Sequence, residues 1–388
     1  MIPYGRQNIS EKDIQAVVEV LRSDYLTQGP AVPAFENAVA NYCGAQHAVA
    51  VNSATSALHI ACLALDVGKG DIVWTSPITF VASANCALYC GATVDFVDID
   101  STTYNICLEQ LKIKLEIAKT AKKIPKVVIP VHFSGLPCDM EAIRDLSNQY
   151  GFYIIEDASH AIGAKYLDKP VGSCDYSDIT VFSFHPVKII TTGEGGMALT
   201  NNSILARRMQ LLRSHGITRD EKEMTNESDG PWYYEQQILG FNYRMTDMQA
   251  ALGLSQLDNL DEWVKKRHQI ADIYDEKLVQ LPVILPKRDN VSYSALHLYV
   301  VQVDEVKTSK SRKSVFYALR AAEIGVNVHY IPVHTQPDYR VLGFSKGQFL
   351  SSETYYSRCI SLPMYSSLTD INQQKVITAL SSIFLSES

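Results

Sequence analysis

The chain reads as an α/β protein built on a mostly parallel sheet covered by helices, followed by a smaller α+β unit. Three observations predict this. Between His47 and Thr200 the β-branched apolar runs AVAVN, DIVWTS, TVDFVDI, KVVIPVHF, FYIIED, ITVFSF and GGMALT recur, and they are continuous rather than alternating, as strands buried on both faces must be. Helices expected at Ala54 to Leu65, Phe80 to Tyr89 and Glu141 to Tyr150 separate them, with little else between. From about residue 280 the apolar strands HLYVVQV and NVHYIPV mix with helices at Lys313 to Ile324 and Thr369 to Leu385. The expected division is 1–260, an arm with the large unit, and 261–388, the small one.

Ser10 opens the first helix, EKDIQAVVEVLRS, and Ile14, Val17, Val18 and Leu21 give it one apolar face. YLTQGP then supplies turn chemistry in a short loop. Residues 214–238, SHGITRDEKEMTNESDGPWYYEQQI, are polar and broken by Gly and Pro, so a mobile loop is expected. After it, Thr246 is a good N-cap, and Met248, Ala251, Leu252, Leu257, Leu260, Val264 and Ile273 recur at helical spacing. A helix of about 30 residues would reach roughly 45 Å, long enough to join the two units.

Composition removes several classes. The 388 residues carry a formal charge of −7, which argues against a nucleic-acid partner. The most basic stretch, KTSKSRK (Lys307 to Lys313), is short and reads as a solvated loop. The eight cysteines lack metal spacing, and Cys43, Cys62, Cys86, Cys90 and Cys107 sit among apolar or small residues, as free core thiols do. A reducing compartment, the cytoplasm, is expected. MIPYGRQNIS has neither a charged lead nor an apolar core, so no signal peptide is expected, and no apolar run approaches the roughly 20 residues that span a bilayer. No G-x-G-x-x-G follows a strand, which argues against a dinucleotide fold, and GEGG at 193–196 reads as a tight turn.

Chemistry concentrates at Val181 to Gly196, VFSFHPVKIITTGEGG. Here an apolar run delivers Ser183 and His185, and then Lys188. A solvated loop lysine is the plain alternative, but a lysine in a partly dry pocket loses its proton readily and attacks aldehydes, forming a Schiff base. Upstream, FYIIEDASHAIG ends a strand in Asp157, either a helix N-cap or an acid on the edge where open α/β sheets bind ligands. Such an acid, facing the ring nitrogen of pyridoxal phosphate, keeps that ring an electron acceptor. The third piece, VNSATSALHIACLAL, runs a strand end into Ser53, Ala54 and Thr55 at a helix start, which is either a simple cap or a phosphate cradle. Together the three pieces point to the cofactor. A metal at VHYIPVH is not expected, because His329 and His334 differ in parity and would face opposite sides of a strand.

LTQGP, NSATSALH, SPITFVASAN, EDASHAIG, SFHPVKIITTGEGG and FNYRMTDMQAALG together resemble the sugar aminotransferases of the DegT/StrS group over nearly the whole chain. The resemblance implies an aspartate-aminotransferase-like, fold type I fold with a seven-stranded sheet. It also implies a pyridoxal 5′-phosphate cofactor held by Lys188, Ser53, Ala54, Thr55, Phe80, Asp157, His160 and Ser183. Phe80 would stack on the ring, its alternative being a core aromatic. His160 would meet a ring oxygen, its alternative being a satisfied core imidazole. Asn242 would cross into a neighbouring subunit to hold its phosphate, making a homodimer with shared sites. Tyr4, Asp24, Tyr25, Leu26, Thr27, Arg244, His329, Tyr330, Ile331 and Pro332 would line the sugar nucleotide, with Asp24 and Leu26 equally readable as parts of a tight turn. SPITFVASANCALYCGATVDFVDID is most similar to the branch that aminates C4 of UDP-4-keto-6-deoxy-N-acetyl-L-altrosamine in pseudaminic acid synthesis, and glutamate is the expected donor. Lys188 argues against the related dehydratases, which carry histidine there. A non-catalytic regulator would bring a DNA-reading helix-turn-helix or a long basic segment, and neither is visible.

Overall fold

The computed structural model describes residues 1–288 and 291–385, so 289, 290 and 386–388 of the expected small unit lie outside the described residues. The predicted strands form one seven-stranded sheet. They are β1 (His47–Val51), β2 (Ile72–Thr75), β3 (Thr93–Phe96), β4 (Val127–Ile129), β5 (Tyr153–Asp157), β6 (Ile179–Ser183) and β7 (Gly196–Thr200), in the order β1-β7-β6-β5-β4-β2-β3. Pairing is parallel from β6 through β3, whereas β7 runs antiparallel to both β6 and β1. Six strands therefore end at one edge of the sheet.

Helices cover both faces: α1 (Glu11–Arg22), α2 (Ala31–Cys43), α3 (Ala54–Ala64), α4 (Ala82–Tyr89), α5 (Leu108–Thr120), α6 (Met140–Tyr150), α7 (Ser203–Arg213), α8 (Asp247–Leu257) and α9 (Leu260–Leu278). The sequence reading missed α5. Its buried face, Leu111, Leu115 and Ala118, is blurred by Ile113 and Ile117, which are 53% and 65% exposed. α4 begins at Ala82, two residues later than expected, which leaves Phe80 outside the helix.

The expected 30-residue helix is two helices. Thr246 caps α8 through a capping box with Gln249. At Asp258-Asn259 the chain tightens, the Asn259 N–H donating to the Gln256 carbonyl at 3.1 Å, because short polar side chains there compete with the helical ladder. α9 then takes over, with Leu260, Trp263 and Val264 in the core of the seven-stranded sheet and Ile270, Ala271, Tyr274 and Leu278 in a second core. That second core is built on β8 (Val283–Ile284), β9 (Tyr299–Val303) and β10 (Cys359–Leu362) with α10 (Arg312–Ala321) and α13 (Asp370–Leu385), whereas α11 (Pro337–Val341) sends Tyr339 into the core of the large sheet and α12 (Leu350–Arg358) buries Tyr355 against Tyr104 and Phe133.

NVHYIPV is not a strand. Asn327 makes an isolated bridge to Ser361, and Val333–Thr335 turns into a 3₁₀ helix. Strand parity therefore does not govern His329 and His334. They still diverge: His334 pairs with Glu353 at 3.0 Å, whereas His329 meets Ser361 at 2.7 Å. Among the described residues no cluster is fit to hold a metal, and no helix is long and apolar enough to cross a membrane. All eight cysteines are free.

α1 departs from its pattern. Ile14 and Leu21 are 47% and 55% exposed, and its one fully buried side chain is Asp13. That carboxylate closes the capping box with Ser10 and accepts from Ser255 at 2.6 Å and Gln256 at 2.7 Å on α8. Burial pushes its carboxyl up, but the hydrogen bonds from Ser255, Ser10 and Gln256 outweigh burial and hold it below the usual range. A depressed native value contributes stability above about pH 4, and the contribution is lost as pH falls through that lower value. Asp13→Ala strands the buried Ser255 and Gln256 donors and should cost about 2 to 4 kcal/mol at pH 7, read as a lower denaturant midpoint at unchanged slope. A loss under about 0.5 kcal/mol, the range of a neutral surface change, would contradict this role.

Candidate active site

The carboxyl edge of the sheet supplies the site. β1 leads into Ser53, β5 ends at Asp157, and β6 ends at Ser183 five residues before Lys188. A cavity of about 570 Å³ opens there, with Lys188, Asp157, Ser53, Phe80, His160 and His329 in its wall. Its size falls in the usual range for small-molecule sites.

Ser53 caps α3 in an extended conformation, its Oγ accepting from the Ser56 N–H at 3.1 Å. The first amides of α3, at Ala54 and Thr55, have no partner within the helix and border the cavity. Gly196 explains part of the GEGG run: a Cβ there would lie 2.5 Å from Ala54 N and from Ser53 C. Only glycine lets β7 start this close to the cradle. Gly193, at φ +80°, makes the preceding turn.

Lys188 lies half-buried on the cavity wall, ringed by protein yet reachable from the cavity. Burial lowers its amine to about 8, against the opposing pull of Asp157. Asp157 is 5% exposed and accepts from the Ser159 N–H at 3.1 Å. His160 places Nε2 3.1 Å from the Tyr330 hydroxyl, and its buried Nδ1 has no partner among the described residues. Burial, then Lys188 and His329, push its basicity well below normal, so the ring is neutral.

His329 is also neutral, lowered to about 3 by burial and by Lys188. The Asn327 Oδ1 accepts from Val328 N–H, so its Nδ2 faces His329 Nε2 at 3.3 Å as a donor. The ring therefore carries its proton on Nδ1, toward Ser361, and keeps no free lone pair for chemistry. It serves as a wall. Tyr4 stacks obliquely on it at 5.5 Å, delivered by an arm tied through Ile2 to Glu323 and through the Tyr4 carbonyl to Met364.

Phe80, 59% exposed, offers its ring to the cavity and tilts against Tyr330 at 6.3 Å. Ser183 is buried at the end of β6 and borders the cavity. The remaining predicted residues do not join them within one chain. Asp24, Tyr25, Leu26 and Thr27 lie on the exposed turn after α1, Thr27 bridging to Thr246 and the Leu26 carbonyl accepting from Asp247 N–H. Asn242 bridges to Ser214, and Arg244 donates to the Ser214 hydroxyl at 3.1 Å. Ile331 is exposed and Pro332 buried, and neither borders the cavity. His185, noted in the sequence beside Lys188, borders it too, as do Ser159, Glu194 and Asn327, which were not singled out. All four lie within or two residues from stretches already picked, so proximity to a motif was the available signal.

A lysine amine of lowered basicity, a strand-end carboxylate and a helix-start cradle on the carboxyl edge of this sheet define a fold type I pyridoxal-phosphate-dependent transferase. The residues fit that cofactor: the cradle suits a phosphate, and the orphaned Nδ1 of His160 lacks only a polar partner. The chain belongs to the DegT/DnrJ/EryC1/StrS aminotransferase family, whose description matches residues 7–381. It is 42% identical over 385 residues to the spore coat polysaccharide biosynthesis protein SpsC of Bacillus subtilis (strain 168), covering 98% of this chain and 97% of that protein. Among solved structures it is similar to Helicobacter pylori PseC, an aminotransferase involved in the biosynthesis of pseudoaminic acid, at a TM-score of 0.90 and 32% identity over 99% of both chains. It is also similar to the putative sugar aminotransferase Spr1654 from Streptococcus pneumoniae in its PMP form, at a TM-score of 0.89 and 30% identity over 100% of both.

The lowered amine is directly measurable. Pulsed amine acylation across pH, followed by peptide mass analysis, should label Lys188 half-maximally near pH 8. At neutral pH that leaves about two-hundredfold more free amine than a surface lysine has. Half-maximal labelling near pH 10.4, the ordinary value, would contradict the desolvated setting.

Proposed function

We propose that this chain moves an amino group from glutamate to C4 of a nucleotide-linked 4-keto-6-deoxy sugar, using pyridoxal 5′-phosphate. The observation that carries the reading is the Lys188 amine, lowered to about 8, set at the same sheet edge as the Asp157 carboxylate and the Ser53–Thr55 cradle. When bound, pyridoxal phosphate supplies a carbonyl carbon that accepts and returns nitrogen and a ring that spreads the electron pair left on the substrate carbon.

The chain's own residues do the rest. The α3 amides at Ala54 and Thr55, with Ser53 and Ser183, hold the phosphate at the positive end of the helix. Phe80 covers one ring face, and offset stacking adds roughly 0.5 to 1.5 kcal/mol beyond area. Asp157 keeps the ring nitrogen protonated. Lys188 Nζ takes the proton from the α-carbon of glutamate and later delivers one to C4 of the sugar, a contribution of roughly 10² to 10⁴ in rate for a positioned base. Neutral His160 contacts the ring's polar edge.

Substrate side chains are assigned on the same footing. Tyr4, His329 and Tyr330 form the inner wall. Asp24, Tyr25, Leu26, Thr27, Asn242, Arg244, Ile331 and Pro332 complete it in a homodimer, Asn242 reaching the neighbour's phosphate. The exposure of the Asp24–Thr27 turn, and of Ile14 and Leu21 beside it, supports a second copy covering that face. The working division is a cofactor-binding unit at 1–260 and a small unit at 261–388. The free thiols support a reducing compartment, the cytoplasm.

For the sugar itself, the stretch at residues 76–100 and the similarity to PseC favour UDP-4-keto-6-deoxy-N-acetyl-L-altrosamine, as in pseudaminic acid synthesis. The higher identity to SpsC favours a second reading, the same chemistry on another UDP- or dTDP-linked 4-keto-6-deoxy sugar of a surface polysaccharide. Offering a panel of UDP-, dTDP- and GDP-linked keto sugars with glutamate, and following product mass, decides between them.

Lys188→Ala should lose turnover and the visible absorbance of cofactor-loaded protein together, and retained turnover would reject its role. Asp157→Asn should load cofactor yet be nearly inert, because a buried pyridinium without its counter-charge would cost about 3 to 5 kcal/mol and the ring stays neutral instead. Near-normal turnover of that variant would remove Asp157 from the mechanism.

A further inference from the structure

Asp157 does not stand alone on its strand end. Ser83, wholly buried, places its Oγ 2.5 Å from Asp157 Oδ2, and Thr79, 2% exposed, places its Oγ1 2.7 Å from Ser83 Oγ. The direction of the protons follows from valence. An ionised carboxylate only accepts, so the single proton of Ser83 goes to Asp157, and the Thr79 hydroxyl must then donate to Ser83. The Phe80 carbonyl, 3.3 Å from the same Oγ, is left as the weaker contact. The result is a one-way chain, Thr79 to Ser83 to Asp157, in a dry setting where successive hydrogen bonds reinforce one another.

The carboxylate is thereby pinned at both oxygens, Oδ2 by Ser83 and Oδ1 by the Ser159 N–H at 3.1 Å. Its rotation is fixed while it still borders the cavity. Thr79 and Ser83 are four residues apart and flank Phe80. One turn therefore sets both the aromatic that covers the ring and the hydroxyl that aims the acid.

We propose that Ser83, backed by Thr79, is a positioning residue that holds the Asp157 carboxylate in line with the cofactor's ring nitrogen, so that this one turn couples ring stacking to ring protonation. The inference rests on the reading of Lys188 and Asp157 as a pyridoxal-phosphate site. Without the Ser83 proton the carboxylate is held at Oδ1 alone and can rotate about that contact, so the ring nitrogen loses a fixed partner although the cofactor remains held by the cradle and Lys188.

The test loads wild type, Ser83→Ala, Ser83→Thr and Thr79→Val with ¹⁵N-pyridoxal phosphate. It reads the ring-nitrogen chemical shift, the cofactor dissociation constant and the single-turnover rate with glutamate. Ser83→Ala should move the nitrogen shift toward the unprotonated value and slow the glutamate step about 10- to 100-fold, the span of one hydrogen bond to a charged group, while cofactor affinity changes less than about threefold. Ser83→Thr, which keeps the hydroxyl, should restore shift and rate. Thr79→Val, which keeps the volume behind Ser83 but removes the donor, should give an intermediate shift and covers the case in which Ser83→Thr is overpacked. Unchanged shift and rate in both Ser83→Ala and Thr79→Val would overturn the inference and leave the cofactor reading standing. A wild-type chain that takes up no cofactor would overturn both.

Discussion

The desolvation of a single amine is the constraint on which the site depends. A lysine at its ordinary basicity is almost wholly protonated at neutral pH and cannot attack a carbonyl. Here burial pulls Lys188 down to about 8, and Asp157 keeps it from falling further. The same dry environment holds His160 and His329 neutral. Three basic groups thus share one cavity without three charges, and Asp157 remains its buried acid.

The sheet makes this possible by geometry. Six strands point one way, so Ser53, Asp157 and the approach to Lys188 emerge at one edge although Ser53 precedes the other two by more than a hundred residues of chain. β7 runs back between β1 and β6, and Gly196 at its start is close enough to Ser53 and Ala54 that any side chain would displace the cradle. The segment that follows Val326 of the second core contributes the opposite wall through Asn327, His329 and Tyr330, and it never becomes a strand. α9, rooted in both cores, fixes how the two walls face each other.

Much of this was legible in the sequence because it rests on local signals. Each of the seven continuous β-branched runs between His47 and Thr200 became a strand, since burial on both faces leaves no polar alternation. Ser10 and Thr246 became caps with their boxes completed three residues on. What was not legible depends on contacts that a linear pattern does not carry. The break at Asn259 lies inside an unbroken apolar rhythm, and α5 hides its face behind exposed isoleucines. NVHYIPV has strand composition, but Pro332 and the cavity wall bend it away. Within the site, Lys188, Asp157, Ser53, Phe80 and His160 border one cavity. Asp24 to Thr27 do not, because their turn faces outward, and Asn242 and Arg244 do not, because they are engaged with Ser214. Ser83 was invisible for a different reason: a serine in an alanine-rich helix start gives no hint of the carboxylate it meets 74 residues further along.

The proposed function requires the amine at position 188 to condense with pyridoxal phosphate. Borohydride reduction of cofactor-loaded protein, followed by peptide mass analysis, tests it most directly. A stable pyridoxyl group is expected on the peptide containing Lys188 and on no other. An unmodified Lys188 peptide from fully loaded protein, or the label on a different lysine, would contradict it.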